Sequence, residues 1–162
     1  MTFHVRRARS EDAEAACGAV RCSIEMCCLE DHGGKRAKLD AWLRNKTPEN
    51  FLAWIESDGL YCTVVERGSS VVGFGMASVS GELLLCFVTP EVRFQGVGKA
   101  ILLAIERWAA TASIATLRLE STRTALPFYR RNGFESCGPV ATFAGLESQP
   151  MCKQLLKYGY EA

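Results

Sequence analysis

Apolar positions along the chain change their spacing several times, and each change marks an element. Phe3 to Ala8 reads as a first strand, with Phe3, Val5 and Arg7 on one face. Ser10 then offers a helix cap, and Glu11 and Asp12 suit a first turn that carries positive charge. Ala13, Ala16, Cys17, Val20 and Ile24 recur at helical spacing and predict a helix to about Cys28. Leu29 to Lys35 holds Asp31, His32, Gly33 and Gly34 and reads as a polar loop. A second helix is predicted over about Lys35 to Asn45, through Leu39, Trp42 and Leu43. Thr47-Pro48-Glu49-Asn50 opens a third with a cap and a first-turn proline. That helix carries Phe51, Leu52, Trp54 and Ile55 and ends near Asp58-Gly59.

Strands follow. Leu60 to Glu66 and Val71 to Val79 are joined by Arg67-Gly-Ser-Ser70, a hairpin signal. Ser80-Gly81 turns into Leu83 to Val88. A long helix spans Gly98 to about Ala110, with Ile101, Ala104, Ile105 and Trp108 as its inner stripe. Thr116 to Glu120 is a strand, and a short helix starts from Thr124. Glu135 to Phe143 and Met151 to Lys157 read as the last two strands. The order predicts an α/β domain over 1–162, with a mixed, mostly antiparallel central sheet flanked by helices.

Composition narrows the class. A chain of 162 residues with 48% apolar and 23% charged positions can bury a sound core. The formal net charge of +1, with no basic stripe, gives no sign of nucleic-acid binding. No apolar run is long enough to span a bilayer, and the first residues lack an apolar signal core. No membrane association is expected, and the cytoplasm is the expected location. Eight cysteines stand without a Cys-x-x-Cys pair, and there are two histidines, so no metal site is expected. The cysteines read as buried or half-buried free thiols in a reducing compartment. Cys22, Cys27 and Cys28 lie near His32 in sequence.

The candidate chemistry sits after Val88. The apolar strand stops at Pro90, and Arg93-Phe94-Gln95-Gly96-Val97-Gly98-Lys99 leads straight into the long helix. First-turn amides have no partner within a helix, and the macrodipole puts positive charge there. A glycine loop feeding such a helix start makes an anion site. A P-loop would need glycine at 93 and Ser or Thr at 100, where Arg93 and Ala100 stand. A dinucleotide fingerprint would need glycine at 101, where Ile101 stands.

The Arg-x-x-Gly-x-Gly spacing resembles the acyl-CoA signature of the GCN5-related N-acetyltransferase (GNAT) superfamily. A second stretch, Ala125-Leu-Pro-Phe-Tyr-Arg-Arg-Asn-Gly-Phe134, resembles that family's second cofactor element. Thr124 can cap it, Pro127 falls in its first turn and Gly133 can close it. Val5 to Ala13 resembles the family's first strand and helix entry, so the likeness spans nearly the whole chain.

The resemblance implies an acyltransferase enzyme that moves an acetyl group from acetyl-CoA to a primary amine. The amine, on a small molecule or a protein, would attack directly in a ternary complex. It also implies a sheet split between the fourth and fifth strands. The alternative is a non-catalytic acyl-CoA-binding sensor or regulatory module. Family members are often dimers, although no homodimer surface is legible here. The implied cofactor contacts are Phe87, Val88, Arg93, Phe94, Gln95, Gly96, Val97, Gly98, Lys99, Thr122 and Tyr129. Family members bulge near Phe87 and Val88, which would free the Val88 N–H to stabilise a developing oxyanion. Tyr129 would be the acid to the leaving thiolate, with Phe128 in the core. Thr122 stands where many relatives carry Asn. Glu82 is the first candidate for the base, and Asp31 and His32 are the second. Cys86 is a minor candidate for a nucleophile. Acceptor recognition is expected in residues 25–60, where Glu30 and other acids mix with Trp42 and Trp54.

Overall fold

A computed structural model describes residues 2–155. Strand β1 (His4–Arg7) leads through a 3-10 turn (Ser10–Asp12) into helices α1 (Ala13–Cys27), α2 (Leu29–His32), α3 (Arg36–Leu43) and α4 (Pro48–Glu56). Strands β2 (Leu60–Arg67), β3 (Ser70–Ser78) and β4 (Leu83–Val88) follow. Helix α5 (Val97–Thr111), strand β5 (Thr116–Ser121) and helix α6 (Leu126–Arg131) come next. Strands β6 (Glu135–Ser136), β7 (Ala141–Phe143) and β8 (Leu146–Gln154) complete the described chain.

Strands β1, β2, β3 and β4 form one antiparallel sheet in that order, and β5, β8 and β6 form another, with β7 on β8. At Glu82 and Arg118 the two sheets touch through a parallel bridge, and the Arg118 N–H donates to the Gly81 carbonyl at 2.8 Å. Beyond that bridge β4 and β5 part. The expected split is therefore present, closed at the start of β4 and open toward Val88.

Both faces of the first sheet are covered, which is why β2 reads as a continuous apolar run. Val64 packs in the cluster formed with α1 and α4, through Val20, Ile24 and Phe51. Val65 packs in the opposite cluster, with Ile101, Leu102 and Ile105 of α5. Helix α5 approaches β3 closely because Gly75 has no side chain. A Cβ there would lie 2.3 Å from the Ile101 Cγ2 atom. Trp108 and Ala104, expected on the inner stripe, are half-buried and line a groove of about 450 Å³ against β1 and β2.

Several local expectations need correction. Ser10 does not cap α1; the Asp12 carboxylate accepts the Arg9 N–H at 2.7 Å. Leu29–Lys35 is not a plain polar loop, because it contains α2, whose Asp31 and His32 are buried. The Glu135–Phe143 strand is broken by Gly138-Pro139, where the ladder cannot continue through a residue that lacks an N–H. Strand β8 starts at Leu146, after a tight hairpin in which Ala144 and Gly145 both have positive φ, 50° and 77°. The expected end of this strand at Lys157 lies outside the described residues.

Free thiols throughout are also corrected. Cys137 and Cys152 form a disulfide, with Cα atoms 6.0 Å apart. Ser136 pairs with Met151, and the Cys137 N–H donates to Pro150, which makes the two cysteines diagonal neighbours on adjacent strands. Their separation of 15 residues gave no local signal. The other six cysteines are free.

The start of the chain is fixed by one arginine. The Arg6 guanidinium donates to both Asp12 carboxylate oxygens at 2.7 and 2.8 Å and to Glu66 at 2.7 Å. Arg6, and after it the Arg9 N–H, hold the Asp12 carboxyl below the usual carboxylate range, against the opposing effect of burial. A depressed acid stabilises the fold above its unfolded pKa of about 4 and loses that contribution as pH falls through the folded value. Asp12→Asn should therefore cost roughly 1–3 kcal/mol at pH 7. In urea unfolding the gap from wild type should shrink on acidification below about pH 4. Thiol titration of the urea-unfolded protein should find six reactive groups without reductant and eight after reduction. Eight in both would remove the Cys137–Cys152 bond.

Candidate active site

The open end of the split holds a cleft of about 750 Å³. The end of α1 and the start of α2 form one wall, with Ser23, Cys27, Cys28 and Glu30. Cys86, Phe87 and Val88 of β4 and the loop from Val92 to Lys99 form the next. Thr122 to Ala125 and α6 close the far side.

Helix α5 begins abruptly because Gly96 takes the left-handed conformation (φ 84°) at the capping position, where it has no side chain to cap with. The first helical bond runs from the Ala100 N–H to the Gly96 carbonyl at 3.0 Å. The amides of Val97, Gly98 and Lys99 thus have no acceptor within the helix, and all three residues line the cleft. No acid lies in that first turn. Gly98 presses on the Phe128 ring, which a Cβ there would approach to 3.0 Å. Arg93 lines the mouth with its guanidinium 4.8 Å from the Phe94 ring centre. Phe94 is 89% exposed and has a positive φ of 63°. Orphan amides, nearby cations and open backbone form a donor set that fits a pyrophosphate. Gln95 is the exception in this loop: its carboxamide turns back to the Glu91 carbonyl and does not line the cleft.

Val88 stands at the last rung of β4, opposite Gly73. The next amide, of Thr89, donates to the Val72 carbonyl at 2.9 Å. Alternation in an antiparallel ladder then turns the Val88 N–H away from β3, toward the split. The anticipated bulge does not lie beside Val88. The register shift falls near Leu84, since Leu83 pairs with Ala77 and Leu85 with Met76. The ordinary ladder phase, not a bulge, leaves this amide open.

Tyr129 and Phe128 exchange their expected places. Phe128 lines the cleft, whereas Tyr129 is buried between Phe128 and Phe134. The Tyr129 hydroxyl meets the Cys86 thiol, and it is Cys86 that lines the cleft. Burial first, and the Cys86 thiol after it, hold the tyrosine well above its usual pKa. Burial pushes the Cys86 thiol up to about 12. Both groups keep their protons at neutral pH, so Cys86 is unsuited to act as a nucleophile.

The structure does not bring Glu82 to the cleft. It is exposed at the closed end of the split, beside Arg118. Asp31 and His32 are buried with their polar atoms engaged. Asp31 accepts from Arg123 and Thr124. His32 Nδ1 accepts the Gly34 N–H at 3.0 Å, and Nε2 lies 3.0 Å from the Ile24 carbonyl. Glu30 is the carboxylate that does line the cleft, among the described residues. Thr122 lines it too, and its Oγ1, not that of Thr124, accepts the Ala125 N–H ahead of α6. Trp42 and Trp54 pack half-buried on Phe87 and Phe51 respectively. Sequence reasoning did not place Cys27, Cys28 and Phe128 in the cleft. No group of metal-binding side chains occurs among the described residues.

A split mixed sheet, a glycine loop opening a helix into the split, and a cleft between them define an acyl-CoA N-acyltransferase fold. Residues 28–155 match the family model for the acetyltransferase (GNAT) domain. The chain belongs to that family. Over 88 residues it is 32% identical to an IAA acetyltransferase of Azospirillum brasilense, a match covering 49% of this chain and 58% of that protein. A GCN5-related N-acetyltransferase structure from Rhodopseudomonas palustris superposes with a TM-score of 0.84 at 21% identity, covering 96% of this chain and 97% of that one. The PaiA N-acetyltransferase of Thermoplasma acidophilum, in complex with coenzyme A, gives 0.80 at 22% identity, covering 95% and 99%. A ribosomal-protein-alanine N-acetyltransferase from Brucella melitensis gives 0.72 at 22%, covering 94% and 99%. At these identities the structures show the shared fold.

Proposed function

We propose that this protein is an N-acetyltransferase that moves the acetyl group of acetyl-CoA to a primary amine, by direct attack in a ternary complex. One observation carries the reading. The orphan amides of Val97, Gly98 and Lys99 open onto the same cleft as the unpaired face of Val88, so phosphate binding and carbonyl polarisation fall in one space.

The thioester supplies an activated acyl group. The chain's own residues do the rest. Val97 to Lys99 and Arg93 hold the pyrophosphate, and Phe87 and Phe128 flank the arm. The Val88 N–H stabilises charge that develops on the carbonyl oxygen, an effect worth on the order of a hundredfold in rate. Nitrogen bonds to the carbonyl carbon as the carbon–sulfur bond breaks. The sulfur departs as thiolate beside Cys86, and the Tyr129 hydroxyl, which meets that thiol from the core side, donates a hydrogen bond toward it. Because burial keeps Tyr129 protonated, the donor is ready throughout the neutral range. The amine's proton leaves to water or to Glu30, which also favours a cationic acceptor. Positioning both reactants supplies much of the remaining rate.

Acetyl-CoA at 100 times its Kd should stabilise the fold by about 2.7 kcal/mol and raise the thermal midpoint by several degrees. ATP and NAD should not match it, and an equal rise with ATP would mean the Arg93–Gly98 loop has been misread. Tyr129→Phe should lower kcat by roughly 10²–10⁴ with little change in acetyl-CoA affinity. CoA release that depends on an added amine separates the enzyme from a binding module.

A further inference from the structure

We infer that Asp31 is a positioning residue that holds the entry to α6, and through it Tyr129, from the opposite wall of the cleft. The inference rests on the acetyl-transfer reading and extends it to a group that touches neither reactant.

Helix α6 has six residues, too few to be stable by itself, with Pro127 in its first turn. Its place is set by side chains from elsewhere. The Asp31 carboxylate accepts the Arg123 N–H on Oδ1 at 2.7 Å. On Oδ2 it accepts the Thr124 hydroxyl at 2.5 Å and the Thr124 N–H at 3.4 Å. The next amide, of Ala125, donates to Thr122 Oγ1 at 3.1 Å. Every amide of the turn before α6 is thereby satisfied, two of them by one carboxylate 92 and 93 residues away in the sequence. At the other end of α6 the Lys153 ammonium donates to the Asn132 carbonyl at 2.8 Å.

Asp31 is itself well anchored. It is 8% exposed, and the adjacent His32 ties α2 to Ile24 of α1. Glu30 on the same helix and Thr122 to Ala125 on the loop face the cleft from opposite sides. The carboxylate therefore links the two walls, one contributing Glu30 and the other leading to Tyr129. The carboxylate accepts all three contacts at once. An amide at 31 can keep the Arg123 N–H on its oxygen, but it loses the charge, its N–H₂ faces the Thr124 N–H, and the Thr124 hydroxyl must reverse to accept.

The test uses the full chain as wild type, Asp31→Asn and Thr124→Ala. Three quantities are measured: backbone amide exchange by mass spectrometry, acetyl-CoA affinity by calorimetry, and CoA release with spermidine, lysine methyl ester, an alanine-ended peptide and kanamycin as amines. Asp31→Asn should speed exchange across 122–131 by about tenfold or more, with amides of β4 and α5 within about twofold. It should lower kcat by about tenfold or more, with acetyl-CoA affinity changed less than about threefold, and Thr124→Ala should fall between. Unchanged exchange at 122–131, or an unchanged kcat in a folded Asp31→Asn, would overturn the inference. So would equal losses in acetyl-CoA affinity and kcat, or exchange that rises over the whole chain. A wild type that releases no CoA with any amine would overturn the acetyl-transfer reading instead, and the exchange result would still accept or reject the clamp.

Discussion

The parting of β4 from β5 beyond Arg118 is the constraint on which the rest of the structure depends. A strand inside a sheet normally spends its polar backbone groups on both neighbours, and unpaired ones in a dry site cost free energy. Strand β4 spends one side on β3 and, past Glu82, finds no strand on the other among the described residues. The ladder phase set by Thr89 and Val72 decides which amides are left over, and Val88 is among them. A sheet that closed fully would bury this amide against β5 and leave no cleft. The catalytic proposal is thus a consequence of where two strands stop pairing.

What opens the sheet also aims the helix. The parallel start of β5 beside β4 requires a crossover, and α5 supplies it. Its N-terminus lies beside the open end of β4 because the crossover begins there, and its depth is set by the contact of Ile101 with Gly75. The orphan amides of Val97 to Lys99 and the open amide of Val88 therefore derive from one connection. Phe128 under Gly98 fixes α6 against the same helix, so the third wall is set by close packing on a residue without a side chain.

Features encoded by neighbours in sequence were legible there. The Gly96 turn, the Thr47-Pro48 helix start and the strand Leu83–Val88 all depend on residues within a few positions, and each stands where the pattern put it. Features decided by distant contacts were not. Glu82 looked well placed because it opens β4, but which end of the split stays closed is set by Arg118, 36 residues later. Asp31 and His32 sat in a stretch that reads as polar loop, and nothing local shows that a carboxylate there meets amides at 123 and 124. Phe128 and Tyr129 are adjacent aromatics, and which one enters the core depends on Phe134 and Cys86. The break at Gly138-Pro139 is different: its signal was local, and the residues themselves argued against one continuous strand.

The contrast between α5 and α6 shows how a site can be assembled from elements of unequal strength. Helix α5 spans fifteen residues and buries an apolar face through Ile101, Leu102 and Ile105, so it holds its own position. Helix α6 buries little more than Tyr129 and cannot nucleate alone. Its ends are fixed by two charged side chains, Asp31 from the α1–α2 wall and Lys153 from β8, where Lys153 also pairs with Glu106 of α5. Charged anchors with directional hydrogen bonds fix orientation more sharply than apolar contact, which tolerates sliding. A side chain proposed to donate to a departing sulfur would need orientation above all. The proposed donor, carried on a short helix and oriented from both neighbouring walls, would therefore respond to any shift in either wall. In the proposed reaction, one of those walls is where the acceptor amine would sit.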